Sequence, residues 1–226
     1  MEPLGRLSEA QSSLPSHIVK KTKERFRFVS AGIKRVEEAS QLTYPQFYVE
    51  PVLAVSSTSL ELGKLGIMYA RTIPLEHQGK VEIIIQLSIP LIVFGVTTTI
   101  QAVIAHEFMH YVEFVRKFSR LDVLSDERSS TIFEAPLRDM GRLFSAKDLF
   151  KDKKLVEYVD KKFRNGLHDV KLNEKTLKGW IDRGLPSKRV GLDTNRVKIP
   201  IQAIMKTTFP KEIINKIRET ENGSSG

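Results

Sequence analysis

Cysteine is absent from this 226-residue chain. That excludes a disulfide framework, a thiolate metal site and a cysteine nucleophile. Histidine is scarce, at five residues, and tryptophan occurs once, so any metal ion must be held by a few imidazoles together with carboxylates. No self-similarity appears at solenoid or propeller periods. The opening Met1-Glu2-Pro3-Leu4-Gly5-Arg6 lacks the basic segment and apolar run of a secretory signal, and the expected location is cytoplasmic. One stretch, 83–105, runs without a charge and is long enough to span a bilayer. Pro90, Gly95, Gln86, Gln101 and the threonines 97–99 interrupt it, and His106 and Glu107 follow directly. A buried strand leading into a buried helix is the better expectation, with no membrane partner.

What is present is an ordinary globular composition, 41% hydrophobic and 28% charged, which excludes wholesale disorder. The length suits one large or two small domains. The net charge of +9 is unevenly spread: residues 1–144 carry 17 Lys and Arg against 16 Asp and Glu, and residues 145–226 carry 19 against 11. Such asymmetry points to nucleic acid or another acidic partner for the second part, or else to a lysine-rich solvated surface.

Periodicity predicts an amphipathic helix from His17 to about Leu42, then strands over Phe47–Val55, Leu65–Arg71 and Lys80–Ser88. A long apolar helix is predicted over Thr98–Phe118. Ser125 reads as the N-cap of another, running to Ala135 before Pro136. Beyond it come a helix over Lys147–Phe163 and one capped by Asn173 that ends at Gly184-Leu185-Pro186. A hairpin over Arg189–Ile199 and terminal helices over Pro200–Ile204 and Pro210–Ile217 follow. The expected fold class is α+β, with a flexible arm (1–16), a core (17–144), a small, mainly helical basic domain (145–220) and a flexible tail (221–226).

The chemistry concentrates in His106-Glu107-Phe108-Met109-His110. Residues four apart share a helix face, so both imidazoles can bind one ion, and Glu107 can act on water there as a general base. Imidazole-plus-carboxylate ligation suits a single zinc ion. A third ligand is required, and the motif does not continue as His-x-x-Gly-x-x-His, since Glu113 and Arg116 occupy the later positions. The candidates are Glu134 and Glu127 on the next predicted helix. The first helix continues about eight residues past His110, roughly 12 Å at 1.5 Å per residue, and a returning helix comes level with the metal near Glu134. Glu127 stays open as the alternative. Glu113, one turn past His110, is a candidate to orient a ligand imidazole.

A helix, three strands and a His-Glu-x-x-His helix together resemble the compact zincin core of gluzincin metallopeptidases, as in SprT-like and ImmA/IrrE-like proteases, over roughly residues 17–140. The resemblance implies peptide-bond hydrolysis, with zinc polarising the carbonyl and Glu107 taking a proton from the bound water. It also implies an edge strand around Lys80–Ser88 that holds substrate extended, and an oxyanion donor, for which His168, Tyr111 and Tyr158 are candidates. The Glu127-x-x-Ser130 spacing resembles the ligand helix of thermolysin-type enzymes.

Residues 176–204, with Trp180-Ile181, Gly184-Leu185-Pro186 and the closing Ile199-Pro200, resemble excisionase-like and MerR-like winged helix-turn-helix modules. That resemblance implies DNA as a partner through residues 145–220, with Lys178, Arg183, Lys188, Arg189 and Arg196 contacting phosphates. Two functions follow as expectations. One is a zinc endopeptidase acting on a protein or peptide substrate and targeted by a basic module. The other is a nucleic-acid-binding regulator that keeps a non-proteolytic metal-binding core.

Overall fold

In the computed structural model, the structure describes residues 2–57, 65–120, 132–136, 144–163, 166–190 and 196–223. The architecture is mixed α+β, with helices α1 (Gly5–Glu9), α2 (Ser16–Ser40), α3 (Ile89–Phe94), α4 (Thr97–Arg120), α5 (Ala146–Leu149), α6 (Lys153–Lys162), α7 (Val170–Thr176), α8 (Ile201–Lys206) and α9 (Lys211–Gly223). The strands are β1 (Phe47–Glu50), β2 (Leu53–Ser57), β3 (Leu65–Met68), β4 (Ala70–His77), β5 (Lys80–Ser88), β6 (Ile132–Pro136), β7 (Ser187–Val190) and β8 (Arg196–Pro200).

Helices α2 and α4 form where the apolar spacing predicts them. They pack on each other so closely at Gly32 that a Cβ there would sit 2.8 Å from the Ile104 side chain. The predicted strand 47–55 is cut at Pro51 into β1 and β2. Strands β4 and β5 form a hairpin through Gln78 and Gly79, both at positive φ, the twist that a two-residue hairpin turn favours. Strand β5 pairs with β1 on one side and β4 on the other. It is therefore the centre of its sheet, and the expected edge strand at Lys80–Ser88 is not an edge. Its alternating apolar residues Val81, Ile83, Ile85 and Leu87 are buried, as suits a central strand. No helix among the described residues is long and apolar enough to cross a membrane.

Several local expectations give way to longer-range pairing. The N-terminal segment expected as an arm forms α1, with Leu7 fully buried and Arg6 bonded to Glu50 at 2.7 Å. Residues 132–136 form β6 rather than the end of a helix, because Ile132 and Phe133 take strand partners on β8. The helix expected over 147–163 breaks after Leu149. Phe150 turns extended and buried, and the Asp152 carboxylate accepts from the Lys154 and Leu155 amides to start α6. Asp169, not Asn173, caps α7, which continues as a π-helical turn over Leu177–Ile181. Among the described residues, β7 pairs parallel with β2 and β8 antiparallel with β6, in place of the hairpin expected over 189–199, whose turn at 191–195 lies outside the described residues. Both strands are thereby tied to residues before 145.

Buried side chains from Leu7 to Ile217 form one apolar cluster. Trp180 is fully enclosed, and its indole N–H donates to the Pro186 carbonyl at 3.0 Å. Truncating a buried aromatic of this size typically costs about 3–5 kcal/mol.

Candidate metal centre

The site sits in the middle of α4, and the chain entering it is rigidly placed. Strand β5 ends at Ser88, whose side chain caps α3 by accepting from the Leu91 amide. The turn from α3 to α4 passes through Gly95, where a Cβ would lie 2.4 Å from the Leu91 carbonyl oxygen. Only glycine fits that approach. Arg25 of α2 closes this corner by donating to the carbonyls of Ile92 and Gly95. Along α4, Ile100, Ile104, Phe108, Val112 and Val115 are fully buried, which fixes the helix's rotation about its axis. Tyr44 stacks on Phe108 with centroids 5.6 Å apart and donates its hydroxyl to the Ile104 carbonyl at 3.1 Å. Burial, with a contribution from the Glu107 carboxylate, pushes the Tyr44 phenol well above its usual range, so it stays a neutral donor.

With α4 set in this way, His106 and His110 turn toward each other. Their Nε2 atoms lie 3.1 Å apart and their ring planes are nearly perpendicular, at 87°. Two imidazoles on one tetrahedral zinc, with Zn–N bonds of about 2.0–2.1 Å, place their nitrogens about 3.3 Å apart. The observed separation is also that of a hydrogen bond in which one imidazole N–H donates to the other ring's nitrogen. Both His106 and Glu107 are buried, at 5% and 6% exposure, and His110 is half-buried. Polar side chains in an apolar helix interior are costly to bury unless they are engaged.

Glu107 is held from the sheet. Thr72 on β4 donates its hydroxyl toward the Glu107 Oε2 at 2.7 Å and lies 2.9 Å from the Glu107 carbonyl oxygen. Over His106 lies Phe163, with ring centroids 3.6 Å apart and planes at 13°. Beside them opens a cavity of about 160 Å3, bounded by His106, Glu107, Phe163, residues 67–70 and Leu167. Next to it the Tyr69 hydroxyl is bonded to Asn173 and Thr176, each at 3.0 Å. Burial pushes that phenol above its ordinary range.

The remaining predicted residues fall into three groups. Glu127 lies outside the described residues; for Glu134 the backbone is described, within β6 opposite Lys198. Among the described residues, no group of three His, Asp or Glu side chains gathers to hold an ion. Glu113 bonds Arg116 through Oε1 at 3.2 Å, its Oε2 is buried, and Arg116 also reaches Glu221 at 3.6 Å. Its described partner is a guanidinium and not an imidazole. Tyr111 follows Glu107 by one turn, and burial, reinforced by Glu212, pushes its phenol up to about 12. Tyr158 faces Arg35, and His168 is exposed. The third group is basic: Lys178, Arg183, Lys188 and Arg189 are exposed, the last two on β7, while Arg196 begins β8.

Two residues at the site carry no motif. Thr72 leaves a faint trace in the sequence, as a hydroxyl at an inward-facing position of a strand whose other inward residue there is Pro74. Phe163 leaves none, because only the packing of α6 on α4 brings it to His106. No family model, curated protein or solved structure matches this chain.

Proposed function

We propose that the chain is a zinc-dependent endopeptidase. The observation that carries this reading is the convergence of the His106 and His110 Nε2 atoms at 3.1 Å, with the Thr72-bonded Glu107 beside His106 in the chain and both His106 and Glu107 lining a cavity. The donor chemistry fits zinc: His106 and His110 would hold it, completed by a carboxylate for which Glu134 and Glu127 are the candidates. When bound, the ion supplies Lewis-acid polarisation of the scissile carbonyl. The protein's own residues do the rest. Glu107 takes the proton of the attacking water and passes it to the leaving nitrogen, and Thr72 keeps the carboxylate aimed during both transfers. Phe163 fixes the plane of His106 and keeps bulk water off one face of the ring. The substrate backbone lies along β3 and β4: β3 ends one strand order and β4 the other, and residues 67–70 wall the cavity.

Metal analysis and hydrolysis of a labelled unfolded protein test this. Wild type is expected to hold about one equivalent of zinc, lost in His106→Ala and His110→Ala. Glu107→Gln is expected to keep the metal and lose hydrolysis by at least a hundredfold. Undiminished hydrolysis by Glu107→Gln would sink the mechanism. Loss of zinc in Glu134→Ala but not Glu127→Ala, or the reverse, assigns the third ligand.

A second reading, a nucleic-acid-binding regulator with a non-proteolytic metal core, is favoured by the exposed Lys178, Arg183, Lys188 and Arg189. On the full chain it predicts DNA affinity that falls steeply with salt and weakens in Lys188→Glu/Arg189→Glu.

A further inference from the structure

The cavity beside His106 and Glu107 is too small for a whole ligand and well suited to one side chain. Sites for drug-sized molecules run to about 300–1,000 Å3, against about 160 Å3 here. Away from the motif its lining is mostly apolar: Ile67 and Met68 of β3, Ala70 of β4, Val103 of α4, and Phe163 and Leu167 from beyond α6, with Gly166 and with Tyr69, whose hydroxyl is taken up by Asn173 and Thr176. Val103 is buried, and Ile67, Met68, Ala70, Phe163 and Leu167 are half-buried. Charged lining is confined to the Glu107 end.

The outer wall is anchored. The Asp169 carboxylate accepts from the Lys162 ammonium and the Thr99 hydroxyl, both at 2.6 Å, and caps α7 through the Leu172 amide at 3.0 Å. That single side chain ties the end of α6 and the start of α7 to the N-terminal turn of α4, and so sets where Phe163 and Leu167 stand relative to the motif. Both wall residues come from outside the 17–140 stretch that resembles a peptidase core. The selectivity they impose therefore belongs to this chain's own C-terminal part.

We infer that the Phe163–Leu167 wall and the β3–β4 backbone form a subsite that takes one large apolar side chain of an extended peptide, next to the bond presented to Glu107. This rests on the peptidase reading for the identity of the reaction, but the binding itself can be measured apart from it. An apolar side chain gains by leaving water for such a pocket, and a difference of even one methylene is worth about tenfold or more in discrimination.

The test uses the full-length Glu107→Gln protein and capped hexapeptides in which one residue, placed in turn at each position, is Leu, Phe, Ala or Asp. At one position Leu and Phe are expected to bind at least tenfold more tightly than Ala, and Asp more weakly still. Ala70→Met, which fills the cavity, and Phe163→Ala, which removes its wall, are each expected to erase that preference while circular dichroism and the melting curve confirm the fold. Equal affinities at every position, no measurable binding, or a preference that survives both substitutions overturns the subsite. Wild-type cleavage of the same peptides separates the two proposals. Cleavage without preference removes the subsite and leaves the hydrolase. Selective binding without cleavage does the opposite.

Discussion

Replacing Thr72 with Val isolates the contact that holds the candidate base. The hydroxyl lies 2.7 Å from Glu107 Oε2, and both side chains are about 6% exposed, so the bond is charge-assisted and shielded from water. Hydrogen bonds to charged groups are worth about 1.5–3 kcal/mol. A double-mutant cycle of Thr72→Val and Glu107→Ala measures this bond against the alternative open to the hydroxyl's single proton, the carbonyl oxygen of residue 107 at 2.9 Å, to which it turns when the carboxylate is gone. Urea unfolding of the four proteins, fitted as two-state transitions with matched m-values, is therefore expected to give a coupling of about 1–2 kcal/mol, the excess of a charged acceptor over a neutral one. Thr72→Ser is expected to restore most of the loss. If the bond also aims the base, kcat falls by about tenfold to a hundredfold in Thr72→Val with zinc content unchanged. Additive free energies, within about 0.5 kcal/mol, would refute the reasoning whatever the activity does.

Three further outcomes are expected. Gly95→Ala forces a Cβ against the Leu91 carbonyl and should cost about 1–3 kcal/mol, seen as a lowered Tm. Leu7→Ala removes a fully buried side chain and should cost about 2–5 kcal/mol in urea unfolding, whereas a residue of a polar arm would show no change. Burial works to raise the Asp169 carboxyl, but the Lys162 ammonium, the Thr99 hydroxyl and the Leu172 amide together hold it below its ordinary value. A depressed folded pKa stabilises the protein above the unfolded value near 3.9 and is lost as pH falls through the lowered one. Acid unfolding followed by circular dichroism should therefore be shallower in Asp169→Asn than in wild type below about pH 4.

Local periodicity carries the helical frame well. The spacing of Ile18, Val29 and Val36 sets α2, and the apolar run into His106 sets α4, each within two residues of its observed ends. The same i,i+4 logic places the two imidazoles on one face, and their rings do meet. What escapes the sequence is decided by partners far along the chain. Strands β7 and β8 look like a hairpin locally, yet β2 and β6 outcompete that pairing. The Ser125 cap signal favours a helix through 135, but Ile132 and Phe133 are also good strand formers, and β8 decides between them. Segment α1 spans five residues, too few for a period to register. At the site, Thr72 and Phe163 act through tertiary contact alone, and short motifs are blind to that.

The parallel union of β2 with β7 has a consequence during synthesis. Leu53 must wait for Ser187, roughly 130 residues later, which at about 5–20 residues per second is about 7–27 seconds on the ribosome. Through that interval one side of β2 presents bare amides and carbonyls, a template for wrong neighbours. Nascent chains of this protein should lean on holdase chaperones until the C-terminal part emerges.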